Sequence, residues 1–286
     1  MNHFSRILKD RMSSLVLWLM MIGAIGVMGF IVAFLWKNGH SALSWEFITE
    51  KPRSGMTEGG IATPLVGTVQ LMGLSMLMAL PVGVATAVYL NEYSPKGFWA
   101  SALRLAIRSL AGVPSVVFGL FGLSFFCVFL RLGTNMLTAS MTLACLVLPV
   151  VVSAAETALM NVPKDFRDAS FAMGATRWQT IRKVVLPSAM PSIITGAILG
   201  LGRVAGETAP IIFTGAVFFT PDFAKSPFES VMALPYHVYV LATAGTNIDA
   251  TRPIQYGTAL VLIGVVLIFS LTGTVWRSQL RRRNQV

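Results

Sequence analysis

Residues 14–36 read SLVLWLMMIGAIGVMGFIVAFLW, with no charged side chain. A helix needs about 20 apolar residues to cross a bilayer's hydrocarbon core, so this stretch suffices for one span. Arg6, Lys9 and Arg11 precede it, as in a secretory signal. The apolar run is longer than the usual signal core, however, and no small-x-small cleavage site follows. It is read as an uncleaved first span.

The whole chain has the same character. Of its 286 residues, 55% are hydrophobic and 12% charged, and the mean hydropathy is +0.70. Soluble domains carry roughly 25% charged residues, so the composition excludes a soluble enzyme, a disordered chain and a disulfide scaffold. It predicts an all-α polytopic membrane protein. Five further spans are expected at about 61–90, 110–130, 137–157, 189–219 and 254–276, making six transmembrane helices. The two cysteines, Cys127 and Cys145, lie in apolar segments and read as small buried hydrophobes. His3, His40 and His237 are scattered and make no metal-ligand spacing.

Charge sets the orientation. The net charge is +10, from 22 Lys and Arg against 12 Asp and Glu. On so apolar a chain this excess points to cytoplasmic loops, not nucleic acid. The stretch Ser230–Gly245 is apolar but short, and Pro235 interrupts it. If it spanned, the tail with Arg277, Arg281, Arg282 and Arg283 would face away from the basic N-terminus. With six spans, fifteen Lys and Arg share one side, six lie on the other, and Arg203 stays in the membrane. The positive-inside bias then predicts a cytoplasmic N-terminus (1–13), a periplasmic loop (37–60), a membrane domain (61–276) and a cytoplasmic basic tail (277–286). Loop 158–188 falls in the cytoplasm, and Ser230–Gly245 becomes a surface or re-entrant element on the outer side.

Within loop 158–188, Phe166, Ala169, Ala172 and Met173 recur at three- and four-residue steps. That is a short amphipathic helix, lying on the membrane surface or docking a cytosolic partner. The loop runs Asp168-Ala169-Ser170, three residues, Gly174, nine residues, Val184-Val185-Leu186-Pro187. Small residues followed by Gly suit a helix and turn seated in a partner's cleft, and Leu-Pro is expected to restart a helix into the membrane.

This spacing resembles the EAA motif of ABC importer permeases. Asp stands for Glu, Ser for the second Ala, and Val for Ile. The segment Gly200–Pro210, with Glu58-Gly59-Gly60-Ile61, Pro114–Leu120 and Gly174–Ile181, further resembles the PstA family of phosphate transport permeases, over roughly residues 58–240. The resemblance implies the type I importer (MetI-like) fold, in a bacterial inner membrane. It implies as partners a PstC-like second permease, two copies of a PstB-like ATPase and a PstS-like periplasmic phosphate-binding protein, besides membrane lipid. The implied ATPase-coupling residues are Asp168, Ala169, Ser170, Phe171, Ala172, Gly174, Ala175 and Thr176. No cofactor is expected in this chain, since ATP and Mg would be bound by the partner ATPase. One departure is visible: members of this family often carry Arg where this chain has Ser153, a few residues before Glu156.

No Gly-x-x-x-x-Gly-Lys-Ser/Thr phosphate loop occurs, and the Gly55–Gly60 stretch leads into Ile61. His-Glu-x-x-His, paired-Cys and Gly-x-Ser-x-Gly motifs are also missing, so a non-catalytic permease subunit is expected. An ionised side chain in mid-membrane costs about 2.5–3.5 kcal/mol on insertion scales. Arg203 is expected near the middle of the fifth span, with Glu207 one turn on. The pair is either self-neutralising and structural, or Arg203 offers its guanidinium fork to an anion while Glu207 holds it. Arg203, Glu207 and Thr208 are the expected substrate-path residues. Gly202 and Gly206 would permit close approach of a neighbouring helix. Glu156 reads as an interfacial carboxylate that pairs with a loop Arg.

Two alternatives remain at this point: a permease for another oxyanion such as sulfate or molybdate, and an intramembrane enzyme or free-standing channel. Competition between the oxyanions discriminates the first. Co-purification with a Walker-type ATPase discriminates the second.

Overall fold

In the computed structural model, which describes residues 3–94, 97–220, 222–244 and 248–283, five helices are long and apolar enough to cross a membrane. They run Arg11–Ala42, Ala62–Tyr93, Met136–Met160, Arg177–Gly206 and Thr251–Gln279, and a bent helix pair adds a sixth candidate. In chain order the elements are α1 (His3–Gly39), α2 (Trp45–Thr49), the antiparallel strands β1 (Pro52–Arg53) and β2 (Glu58–Gly59), and α3 (Ala62–Val88). There follow α4 (Phe98–Ala111), α5 (Ser115–Gly122), α6 (Met136–Met160), α7 (Lys164–Ala172) and α8 (Arg177–Thr180). The chain then forms α9 (Leu186–Gly206), α10 (Ala209–Thr214), α11 (Leu234–Thr243) and α12 (Ile248–Arg283).

Helices α3, α6 and α9 form the centre. Lipid tails are as apolar as the side chains, so helices associate in a membrane by close van der Waals packing, which small residues permit. A Cβ on Gly83 would come within 2.6 Å of Val151, one on Gly196 within 2.3 Å of Ala154, and one on Gly200 within 3.0 Å of Val147. Around these contacts Leu71, Met72, Met76, Leu143, Val147 and Val204 build the main core. A second core, of Ala87, Val88, Ala155, Leu159, Ile181, Val185 and Ile193, joins the same three helices beneath loop 158–188. Helix α12 packs on α9, where Gly273 admits Ile198, and α1 lies against α12.

Three expected elements take a different form. The span at 110–130 is largely the second arm, Ser115–Phe129, of a bent pair whose first arm, α4, ends at Ala111 and meets it at 101°. Pro114 has no N–H to continue the ladder and pushes Val113 away from helical geometry. The span at 189–219 starts earlier and stops sooner. Its helix begins at Arg177, where Thr176 and Gln179 form a capping box, and it ends at Gly206. Pro210 explains the stop, since it cannot donate to the carbonyl four residues back. Leu186-Pro187 opens α9, but no break precedes it. A π turn over Ile181–Val185, closed by Leu186 N–H donating to Ile181 O, carries the helix through the proline.

The short apolar stretch is α11, ten residues and too short to cross. It is packed inside, with Leu234, His237, Val240 and Leu241 buried. Gly245, at the end of the expected element, lies outside the described residues. Leu234 N–H donates to Thr68 Oγ1 at 2.8 Å, which fixes α11 on the start of α3. On the same end, Lys51 and Asp222 pair at 2.9 Å, and Lys51 holds the Asp222 carboxyl below its usual range. Cys127 and Cys145 are free thiols, Cys127 buried and Cys145 half-buried.

Candidate functional site

The loop-end machinery starts from α7. Met173 caps the helix, and Gly174 follows at φ +79°. That is the left-handed conformation in which glycine ends helices at no steric cost. The turn leads straight into Thr176, the cap of α8, and Ser170 Oγ and Thr180 Oγ1 lie 2.9 Å apart across it. Every residue of the apolar face stays open: Phe166 is 50% exposed, Met173 88%, and Ala169 and Ala172 are exposed as well. Asp168, Phe171, Gly174 and Thr176 are exposed too, whereas Ser170 and Ala175 are half-buried. The expected coupling residues thus form one continuous surface on this end of the molecule.

Beneath that surface lies a joint that no local sequence pattern announces. Arg167, on the inner side of α7, pairs with Glu92 at 2.7 Å. Glu92 sits in the π turn (Tyr89–Tyr93) that ends α3. Arg167 Nη1 also donates to Val162 O at 2.7 Å, and Nη2 to Leu159 O at 3.0 Å. Leu159 lies in the last turn of α6 and Val162 just past its end, where C=O groups lack the regular intrahelical partner. One guanidinium therefore ties α7 to α3 and to α6. Arg177 adds a second tie from α8, over the Tyr93 ring at 5.2 Å. Nothing in the local sequence marks Glu92 and Arg167 as partners, because 75 residues separate them.

Glu156 has the partner expected of it. Arg104 Nε of α4 reaches Glu156 Oε1 at 2.5 Å, while Arg104 Nη2 donates to Leu90 O at 2.8 Å. Ser153 lies one turn before Glu156 on α6, exposed.

Arg203 and Glu207 are close together, as expected from their spacing, but their setting is different. Gly200 faces Val147, near the midpoint of α6. Arg203 is therefore about one turn away from the middle of the bundle, in the last turn of α9, on the side remote from loop 158–188. Glu207 is the residue at which the helix breaks, with an extended backbone (φ −76°, ψ 125°). Arg203 Nε lies 3.5 Å from Glu207 Oε1, and the two side chains are 33% and 17% exposed. Val204 and Ala205 turn into the core, so Arg203 and Glu207 face its edge. Thr208, half-buried, accepts Ile212 N–H through its carbonyl at 3.2 Å and begins α10. Helix α10 is then pinned at the start of α6, where Asn135 N–H and Thr138 Oγ1 both donate to Thr214 O, at 3.1 and 2.7 Å.

The glycines beside the pair do not bring another helix of this chain close. A Cβ on Gly206 would meet nothing within 4 Å, and one on Gly202 only Val266 at 3.8 Å. Gly200 and Gly196, about one and two turns before Arg203, are the closely packed positions.

A bundle with a broken helix and an exposed helix–turn at one end can be compared with known proteins. Residues 79–285 match the family described as the binding-protein-dependent transport system inner membrane component. The chain belongs to this family. It is a multi-pass membrane permease component. It is 36% identical over 258 residues to the probable ABC transporter permease protein YqgI of Bacillus subtilis, covering 86% of each chain. It is 36% identical over 229 residues to the phosphate transport system permease protein PstA 1 of Mycobacterium tuberculosis, covering 80% of this chain and 73% of that one. In fold, it superposes with a TM-score of 0.59 on the structure of a bacterial ABC transporter involved in import of the acidic polysaccharide alginate. That match covers 96% of this permease and 99% of the other chain, at 17% identity. The ABC importer permease fold is thus shared well beyond recognisable sequence.

Proposed function

We propose that this permease passes inorganic phosphate into the cytoplasm as one subunit of an ATP-driven importer. The observation that carries the reading is Arg203, a guanidinium at the break of a membrane helix with, among the described residues, a single carboxylate contact. Relatives named as PstA phosphate permeases support the choice of anion. Arginine offers a planar set of donors that matches phosphate oxygens two at a time. Glu207 holds that fork from one side, and Thr208 lies beside it at the start of α10. One Arg makes a weak anion site, which suits a transporter because release must follow binding.

In this reading a PstS-like binding protein delivers phosphate to the end carrying β1, β2 and α11. A PstC-like permease completes the path. Two PstB-like ATPases bind ATP and Mg, and one of them docks on the open face of α7 and α8. Both termini and loop 158–188 are cytoplasmic, as the charge count predicts. Closure of the ATPases pushes α7, and the Arg167 joint passes the push to α3 and α6 as a rigid-body shift.

Uptake of labelled phosphate by vesicles carrying the assembled importer tests the reading. ATP-dependent uptake is expected, suppressed by excess unlabelled phosphate but not by sulfate or molybdate. Equal suppression by sulfate or molybdate would reassign the anion. Uptake without any ATPase would point to a free-standing channel and overturn the importer.

A further inference from the structure

Beside the Arg104–Glu156 pair, at the loop end of α6, lies a cavity of about 580 Å³ between α4, α6 and the end of α3. Its wall carries Arg104, Arg108, Ser101, Ser153, Asn91 and, among the described residues, a single carboxylate, Glu156. The charges do not cancel. Arg104 is committed to Glu156 and Leu90 O. Arg108, one turn on along α4, lines the same cavity and has no ion-pair partner among the described residues. Among the described residues, one positive charge is therefore left in a polar recess of a membrane domain, together with the hydroxyls of Ser94, Ser101 and Ser153. The opening lies at interfacial depth, since Glu156 is one turn from the end of α6. Phe98 and Trp99, at the start of α4, are 78% and 83% exposed, in the manner of side chains that sit at headgroup level.

We propose that this cavity binds a phosphoryl oxyanion. Arg108 makes the charge-assisted contacts, Ser101 and Ser153 donate from opposite walls, and Arg104 stays fixed as the second cation. A guanidinium with adjacent hydroxyls fits a tetrahedral oxyanion bearing several acceptor oxygens. The same chemistry is offered by free phosphate and by the headgroup of an anionic phospholipid. The free-phosphate source rests on the transport reading above, and the lipid source does not. Thr157 contributes no donor, because its hydroxyl is given to Ser153 O at 2.8 Å.

The test uses the full chain, purified in detergent with the subunits it carries, and two probes. Labelled inorganic phosphate is measured by equilibrium dialysis. Phosphatidylglycerol, against phosphatidylcholine, is measured by native mass spectrometry. The variants are Arg108→Gln, which alters an exposed side chain, and Ser153→Asp, which sets a second carboxylate in the cavity. Arg131→Gln, at an exposed arginine outside this cavity and outside the membrane pair, serves as the control. At least one probe should be held by wild type and by Arg131→Gln, and weakened about tenfold or more by both cavity variants, as fits loss of a charged hydrogen bond. Phosphate behaving so identifies a free anion, and phosphatidylglycerol behaving so identifies a headgroup. If neither probe responds to either cavity variant, the proposal is overturned. Phosphate uptake by wild type is read in parallel: its absence would remove the transport reading while leaving an Arg108-dependent lipid signal intact.

Discussion

Two arginine–carboxylate pairs in this permease are built from the same residue types and differ in what surrounds them. Arg167 and Glu92 join separate elements at 2.7 Å, with side chains only 16% and 10% exposed, and the guanidinium goes on to two backbone carbonyls. Arg203 and Glu207 are neighbours on one turn, 3.5 Å apart, and the arginine is 33% exposed. The first pair spends its donors inside the chain and is a closed joint. Among the described residues the second keeps most of its donors uncommitted, half-buried at a helix break. The presence of an ion pair is therefore a poor guide to role, and the count of remaining donors is a better one.

The sharpest test replaces both members of each pair with Met. Apolar replacement of a buried structural pair is often tolerated, so Arg167→Met with Glu92→Met should recover most of the stability and uptake that either single change removes. Arg203→Met with Glu207→Met should assemble normally and transport nothing. Normal phosphate uptake by that second double variant would take Arg203 out of the path. Identical behaviour of the two double variants would break the comparison. A finer probe is Arg203→Lys, which keeps the charge and loses the planar fork. Severely reduced uptake is expected, with the protein still at its normal level in the membrane.

The closed joint predicts a stability effect. Arg167→Met alone leaves Glu92 buried without its partner, a change that costs about 3–5 kcal/mol in such pairs. A lowered unfolding midpoint of the purified protein should accompany loss of substrate-stimulated ATP hydrolysis. An unchanged midpoint would mean that α7 is held by other contacts.

A smaller effect is expected at the turn that carries α7. Gly174 has open space around it, so a side chain meets no clash within this chain. Its φ of +79° is the difficulty, costing an ordinary L-residue roughly 1–2 kcal/mol. Gly174→Val should insert into the membrane and fail to couple, whereas Gly174→Asn, which tolerates this conformation, should retain much of the transport. If both variants transport at the normal rate, the docking role of this turn is wrong.

The two pairs should also lie toward opposite faces of the membrane, which labelling can read without disturbing function. Cysteines introduced at Ser54 and Ser226 should react with an external impermeant reagent, and those at Thr176 and Gln279 should not. External labelling at Thr176 would invert the assignment of loop 158–188.

The sequence by itself determined the membrane class, the location of most long helices and the exposed helix–turn of loop 158–188. These follow from local quantities: the length of an apolar run, a three- and four-residue period, and a glycine where a helix must end. Glu156 was legible as an interfacial carboxylate for the same reason. Even the break at Glu207 had a local signal in Pro210, overridden in the sequence reading by the apolar residues continuing to Phe219. Only the tertiary structure decided which charges meet. Arg104 reaches Glu156 across 52 residues and Arg167 reaches Glu92 across 75, distances over which no periodicity in the chain carries information. It also decided which glycines pack closely. Gly196 and Gly200 face α6 whereas Gly202 and Gly206 do not, a matter of which side of α9 each occupies once the neighbouring helices are in place.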